Sequence, residues 1–158
     1  MNQQSRIGAV ISIAVAALTA SLPLAAHHSF SAEFDASKEI RATGAVTKLD
    51  WQNPHAWIHM SATEICERTA ARGPDAVEQE WVCRSPEGDE KGADWAFELG
   101  SPNGLMRQGW TRNSLQQGHV ITVLGSRARD GSTNSNARSV TTADGKRLFA
   151  GSSQDSTP

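Results

Sequence analysis

IRATGAVTKLDWQNPHAWIHMSAT, Ile40 to Thr63, is the stretch on which the fold turns. Its first half is rich in β-formers and reads as a strand running to Trp51. The apolar parity changes between Val46 and the Leu49/Trp51 pair, and Gly44 sits inside the run. Together these predict a bulge or a strong bend. QNPH is a turn signal. Beyond it, Ala56, Ile58 and Met60 fall on one face of the next strand, and His55, Trp57 and His59 fall on the other.

Working outward, Glu64 to Asp94 is charged and Gly/Pro-bearing, with a short strand-like EQEWVCR, and reads as an insertion or an elongated hairpin. In DWAFELG, Trp95, Phe97 and Leu99 alternate as in a strand. SPNGLMRQGW predicts a short helix with Ser101 as N-cap, Pro102 at the first helical position and Gly109 at the exit. Val120 to Leu124 is a strongly β-prone strand closed by Gly125. RDGSTNSN is a loop, ARSVTT a strand, ADGK a hairpin turn and RLFA the last strand. On the other side of the opening stretch, HHSFSAEFDASKE reads as an ordered arm that docks Phe30 and Phe34 rather than as a helix. The inventory has five or six short strands, one short helix between the third and fourth, and no βαβ alternation. The expected fold is all-β: a small OB-like β-barrel, one domain over residues 27–150, with a disordered tail at 151–158.

The N-terminus has the n-, h- and c-region order of a secretory signal peptide. Met1 to Arg6 is polar with one positive charge, Ile7 to Leu24 is apolar, and Ala25 and Ala26 are small. The apolar run approaches the ~20 residues that span a membrane. Pro23 and the lack of a basic cluster after Ala26 favour cleavage over anchoring, so no stable membrane span is expected afterwards. A cut after Ala25 would put Pro23 at the disfavoured −3 position. A cut after Ala26 makes His27 the mature N-terminus. The expected location is periplasmic.

The full chain has 158 residues and a formal charge of −2. Removing residues 1–26 takes away only Arg6 among charged groups, which makes the mature chain −3. Lysines and arginines are scattered, so a nucleic-acid surface is not expected. Cys66 and Cys83 are the only two cysteines. In an oxidising compartment they are expected to pair, stapling the excursion between two strands and contributing ~3 kcal/mol by the loop-entropy model.

HHSFSAEFD after a signal peptide, GAVTKLDWQNPHAWI, WAFELGSPNGLMRQGWTRNSL and GHVITVLGSRARDGSTNSNARSVTTADGKRLF occur in that order. The chain thereby resembles a family of bacterial exported proteins built on a domain of unknown function. The resemblance covers the mature chain except the tail and the Glu64–Asp94 excursion. It implies a periplasmic β-rich domain and carries over no activity. Where that family has an acidic residue in PGD-x-V, this chain has Gln117-Gly118-His119. The cysteine-bearing excursion is particular to this chain, so the resemblance does not imply the disulfide.

The histidines are the cluster with metal-ligand potential. As the N-terminal residue, His27 offers its α-amine and ring Nδ1 to close a chelate ring. The amine's unperturbed pKa of about 7.7–8.0 makes its proton cheap to displace. A third nitrogen, from His28, His55 or His59, would complete an N3 site suited to Cu(II), similar to the histidine brace of copper proteins. His55 and His59 lie roughly 13 Å apart along a strand and cannot share one metal without a sharp bend. His55, directed by Pro54, is the preferred third donor, and His119 is a weak one. The opposing reading is structural: His55 caps backbone groups, and Trp51 and Trp57 pack the barrel.

No nucleophile elbow, P-loop or HExxH occurs. Glu33, Asp35, Asp50 and Glu98 are dispersed, so catalysis is not the expected role. The helix start near Arg107 could meet an anion, but an ordinary capped helix is preferred. The leading expectation is a periplasmic binding module that takes copper through His27, His28 and His55. The alternative is an envelope protein-interaction or structural domain that uses a surface of Trp51, Trp57, Arg107 and Trp110.

Overall fold

The computed structural model describes residues 30–68 and 80–151. Residues 1–26, expected to be a signal peptide, with His27 and His28 and the tail from 152 on, lie outside the described residues. The chain is mostly β. Seven strands form one sheet: β1 (Phe34–Asp50), β2 (Trp57–Arg68), β3 (Trp81–Arg84), β4 (Asp94–Glu98), β5 (Val120–Ala128), β6 (Asn134–Thr142) and β7 (Arg147–Phe149). Two short helices accompany them, α1 (Phe30–Glu33) and α2 (Pro102–Arg107), with a 3-10 turn at Gly88–Glu90. No helix of the described residues is long and apolar enough to cross a membrane.

The pairings close on themselves. β1 pairs with β2 and β5, β2 with β4, and β5 with β6, all antiparallel, while β4 and β6 are parallel. Following partners from Asp50 leads through Trp57, Glu98, Asn136 and Ser126 and returns to β1 at Glu39, eleven positions from the start (50 against 39). Strands in such a ring must be staggered. β7 adds to β6, and β3 continues the hairpin from the far end of β2.

The expected bend in β1 is present at two places, with register shifts between Thr43 and Gly44 and between Val46 and Lys48. The second is the point at which the apolar parity changes. The first needs glycine for space, because a Cβ on Gly44 would lie 2.1 Å from the Ser61 carbonyl oxygen. Bulges increase local twist, which lets one strand of 17 residues serve two neighbours in a curved sheet.

The core sits inside this ring. Ile40, Ala42 and Val46 of β1 share one buried cluster with Ile58 and Met60 of β2 and Phe97 of β4, each at 1% exposure or less. The β2 faces divide as the alternation predicts, Ile58 and Met60 inward, with Trp57 and His59 half-exposed. Trp95, Phe97 and Leu99 are all buried. Ser101 caps α2 by accepting from the Gly104 N–H at 3.3 Å, Pro102 opens the helix, and Gly109 leaves it at φ +89°.

Four expectations are corrected. Phe30–Glu33 is one helical turn, where an ordered arm without a helix was expected, and the Phe30 ring docks on Phe34 at 5.6 Å. β1 begins at Phe34, because Phe34, Asp35 and Glu39 pair with the end of β5, across a register shift between Asp35 and Glu39. The sheet has seven strands rather than five or six, since β3 and β7 are both paired. β5 does not stop at Gly125 but runs to Ala128. Gly125 is there for contact: a Cβ would fall 1.7 Å from the Asn136 carbonyl oxygen.

Candidate functional site

The loop from Trp51 to Ala56 carries His55 to the end of β4. The Asn53–Pro54 bond is cis. Just beyond His55, the Ala56 N–H donates to the Gly100 carbonyl at 3.2 Å, and the Leu99 N–H donates to the Ala56 carbonyl at 2.8 Å. This backbone clasp sets His55 over Glu98, and its Nδ1 contacts Glu98 Oε1. The Glu98 side chain is 10% exposed, whereas the His55 side chain is 41% exposed. An Nδ1–H that donates to a buried carboxylate fixes one tautomer and leaves Nε2 with a free lone pair. That pairing is the usual support of a metal-binding imidazole.

Glu98 does not stand alone. Asn136 on β6 is its parallel register partner, and Ser126 on β5 is the partner of Asn136. All three are buried, at 8%, 6% and 1% exposure. Among the described residues, the Oδ1 of Asn136 has no hydrogen-bond partner.

His59, four residues further, is bound differently. Its Nδ1 meets Asp94 Oδ2 at 2.6 Å, and its Nε2 meets Asp50 Oδ2 at 3.2 Å. Lys48 Nζ reaches Asp50 Oδ1 at 2.6 Å. The Lys48 ammonium donates to the Asp50 carboxyl and, with a smaller contribution from His59, holds it below the usual carboxylate range. A shallow hollow of about 370 Å³ adjoins the cluster, lined by Thr47, Lys48, Ser61, Gly92 and Ala93 beside His59 and Asp94. The ring stands between the two carboxylates, so no three of these ligand atoms converge on one point. His119 accepts from the Gln116 N–H through Nδ1 at 3.2 Å, as a local turn contact.

The two cysteines are bonded, with Cα atoms 3.9 Å apart as directly opposed residues of β2 and β3. Glu64, Cys66 and Cys83 bring three ligand-type atoms within 4.8 Å of one another. The disulfide consumes both thiols, so that group offers no thiolate ligand. Trp81 packs beside it, with the Arg41 and Arg68 guanidinium carbons 4.9 and 5.1 Å from its ring centroid.

The four residues of the expected binding surface separate. Trp110 is 1% exposed, and its Nε1 donates to the Phe149 carbonyl at 2.7 Å. It is a core residue that ties the segment after α2 to β7, with no face left for a partner. Trp51 packs partly buried against the core, Trp57 is half-exposed beside Glu98, and Arg107 is exposed on α2. With only six residues, α2 is an ordinary capped helix. His27 and His28 lie outside the described residues.

Sequence reasoning passed over Glu98 as one of several dispersed carboxylates and did not single out Asn136. The available signal was Glu98's outward parity beside the core positions Phe97 and Leu99, a charge on a strand otherwise buried from Trp95 onward. Neither the curated proteins nor the solved structures contain a match to this chain. The model of a family of unknown function, DUF6152, matches residues 14–85 and 78–137, most of the length, and the chain belongs to that family.

Proposed function

We propose that the chain is an exported, non-enzymatic periplasmic module that binds Cu(II) through the mature N-terminal residue. The α-amine and Nδ1 of His27 form the chelate, His55 Nε2 is the third nitrogen, and His28 lies beside them. The observation that carries this reading is the His55–Glu98 pair: one ring nitrogen anchored to a buried carboxylate, on a side chain that is 41% exposed. Three nitrogen donors in a T suit Cu(II). The scaffold reads as an OB-like barrel. Five of its strands pair in a closed, staggered ring, and α2 lies between the third and fourth of them.

The test uses the mature protein beginning at His27 and a competition titration with Cu(II). One glycine added before His27 moves the amine out of the chelate. Affinity is then expected to fall by at least the ~100-fold that loss of an outer-shell partner can cost. Unchanged affinity overturns the reading.

A further inference from the structure

We infer that the Cys66–Cys83 bond is a thiol–disulfide exchange site that oxidises cysteine thiols, with Arg41 as its electrostatic support. The inference is independent of the copper reading above. Strand register assembles the site. Arg41 on β1 is the partner of Cys66 on β2, and Cys66 is the partner of Cys83 on β3. The three stand in one row across three strands and on one face of the sheet. Arg68 and Trp81, each two residues from a cysteine, are partners in a neighbouring row of that face. Arg41 Nη2 lies 3.5 Å from Cys66 Sγ and 3.7 Å from Cys83 Sγ. The Trp81 ring holds its guanidinium there, at 4.9 Å from the ring centroid. Arg68 is ion-paired with Glu39 at 2.9 Å, so Arg41 supplies the positive charge at the sulfurs.

The two sulfurs differ in access. Cys66 is 0% exposed, whereas Cys83 is exposed on β3, which among the described residues pairs with β2 alone. An incoming thiolate therefore meets Cys83 first. Its lone pair forms a new S–S bond to Cys83 Sγ, and the electrons of the old bond leave on Cys66 Sγ as a thiolate. A stabilised thiolate leaves faster, and the Arg41 guanidinium is in place to stabilise this one. Cys66 then takes a proton from solvent, and its S–H can donate to Glu64 Oε2, which lies 3.5 Å away. A second thiolate attacks the incoming sulfur of the mixed disulfide and frees Cys83, which is protonated in turn. Two substrate thiols become one disulfide, and Cys66 and Cys83 take up the two electrons and two protons. An electropositive and partly exposed setting is that of reactive cysteines rather than of inert buried ones.

The test uses the full oxidised protein, free of copper, with reduced glutathione as the thiol. Mass-spectrometric mapping of the trapped mixed disulfide should find glutathione on Cys83 and Cys66 free. The folded protein should react at least as fast as the same chain unfolded in urea. Arg41→Gln should slow the folded protein about ten-fold, and Arg41→Lys should largely restore the rate, since the charge is kept. In urea the three proteins should react alike, a pattern that a role confined to stapling the hairpin would not produce. If Arg41→Gln does not fold, the site of attack and the folded-against-unfolded rates of the wild-type protein decide. Glutathione on Cys66, a folded protein that reacts only as fast as it unfolds, or a rate that Arg41→Gln leaves unchanged each overturns the inference. None of these outcomes touches the copper reading, which the titration above tests by itself.

Discussion

His55 and His59 are four residues apart on the same hairpin, and the fold puts them to opposite uses. His55 has one ring nitrogen tied to the buried carboxylate of Glu98 and a side chain 41% exposed. His59 has both nitrogens facing carboxylates, Asp94 at 2.6 Å and Asp50 at 3.2 Å. Only the imidazolium can donate to both at once, and that form has no lone pair for a metal. The lesson is that a histidine's availability is set by how many of its nitrogens the tertiary neighbours occupy. Strand spacing says only that the two cannot serve the same site.

The sharpest way to break the comparison is to delete each ring in turn. His55→Ala should lower Cu(II) affinity by about a hundred-fold or more, because it removes a ligand and not merely its support. His59→Ala should leave that affinity within about two-fold. Competition titration reads both, and equal losses would erase the distinction. A smaller effect is expected from Glu98→Gln, about ten- to a hundred-fold weaker binding, since the neutral amide orients His55 without raising its basicity.

For His59 the readout is stability. Asp94→Asn and His59→Ala are each expected to cost no more than about 1 kcal/mol in urea unfolding, the range of exposed ion pairs. A larger loss would make His59 a structural linchpin of the β1–β2–β4 face. The smallest effect is in pH. Lys48, with smaller help from His59, lowers the folded-state pKa of Asp50, so the stability this carboxylate contributes is present above its unfolded value of ~3.9 and lost as pH falls through the folded one. Asp50→Asn should therefore flatten the loss of stability on acidification below about pH 4. An unchanged acid slope would show that Asp50 is not a contributor.

Much of the fold was legible because its signals are local. Ser101, Pro102 and Gly109 mark the helix through cap geometry that involves only their own neighbours. Gly44 and the parity change after Val46 marked the bend in β1, since alternation along a strand reports which side chains are buried. The polar start of β1 was not legible, because Phe34 and Asp35 are strand only through pairing with Ala128 and Arg127, over ninety residues away. Trp110 was misjudged for a related reason. An indole in a polar segment looks exposed until its Nε1 finds the Phe149 carbonyl. The site divided in the same way: His55 stood out in NPH, while Glu98 and Asn136 became partners through the parallel pairing of β4 and β6.

The sequence by itself determined the β character, the capped helix, the bend at Gly44, the inward and outward faces of β2 and the two cysteines able to pair. Each of these follows from conformational preference or side-chain period within one short segment, or from residue type alone. Only the tertiary structure decided that the strands close into a ring, that Glu98 and not a backbone group holds His55, that two aspartates occupy His59, and that Asn136 is buried beside Glu98. Those outcomes depend on which distant strands lie side by side and in which register, and a shift of one residue would turn every one of these side chains to the other face of the sheet.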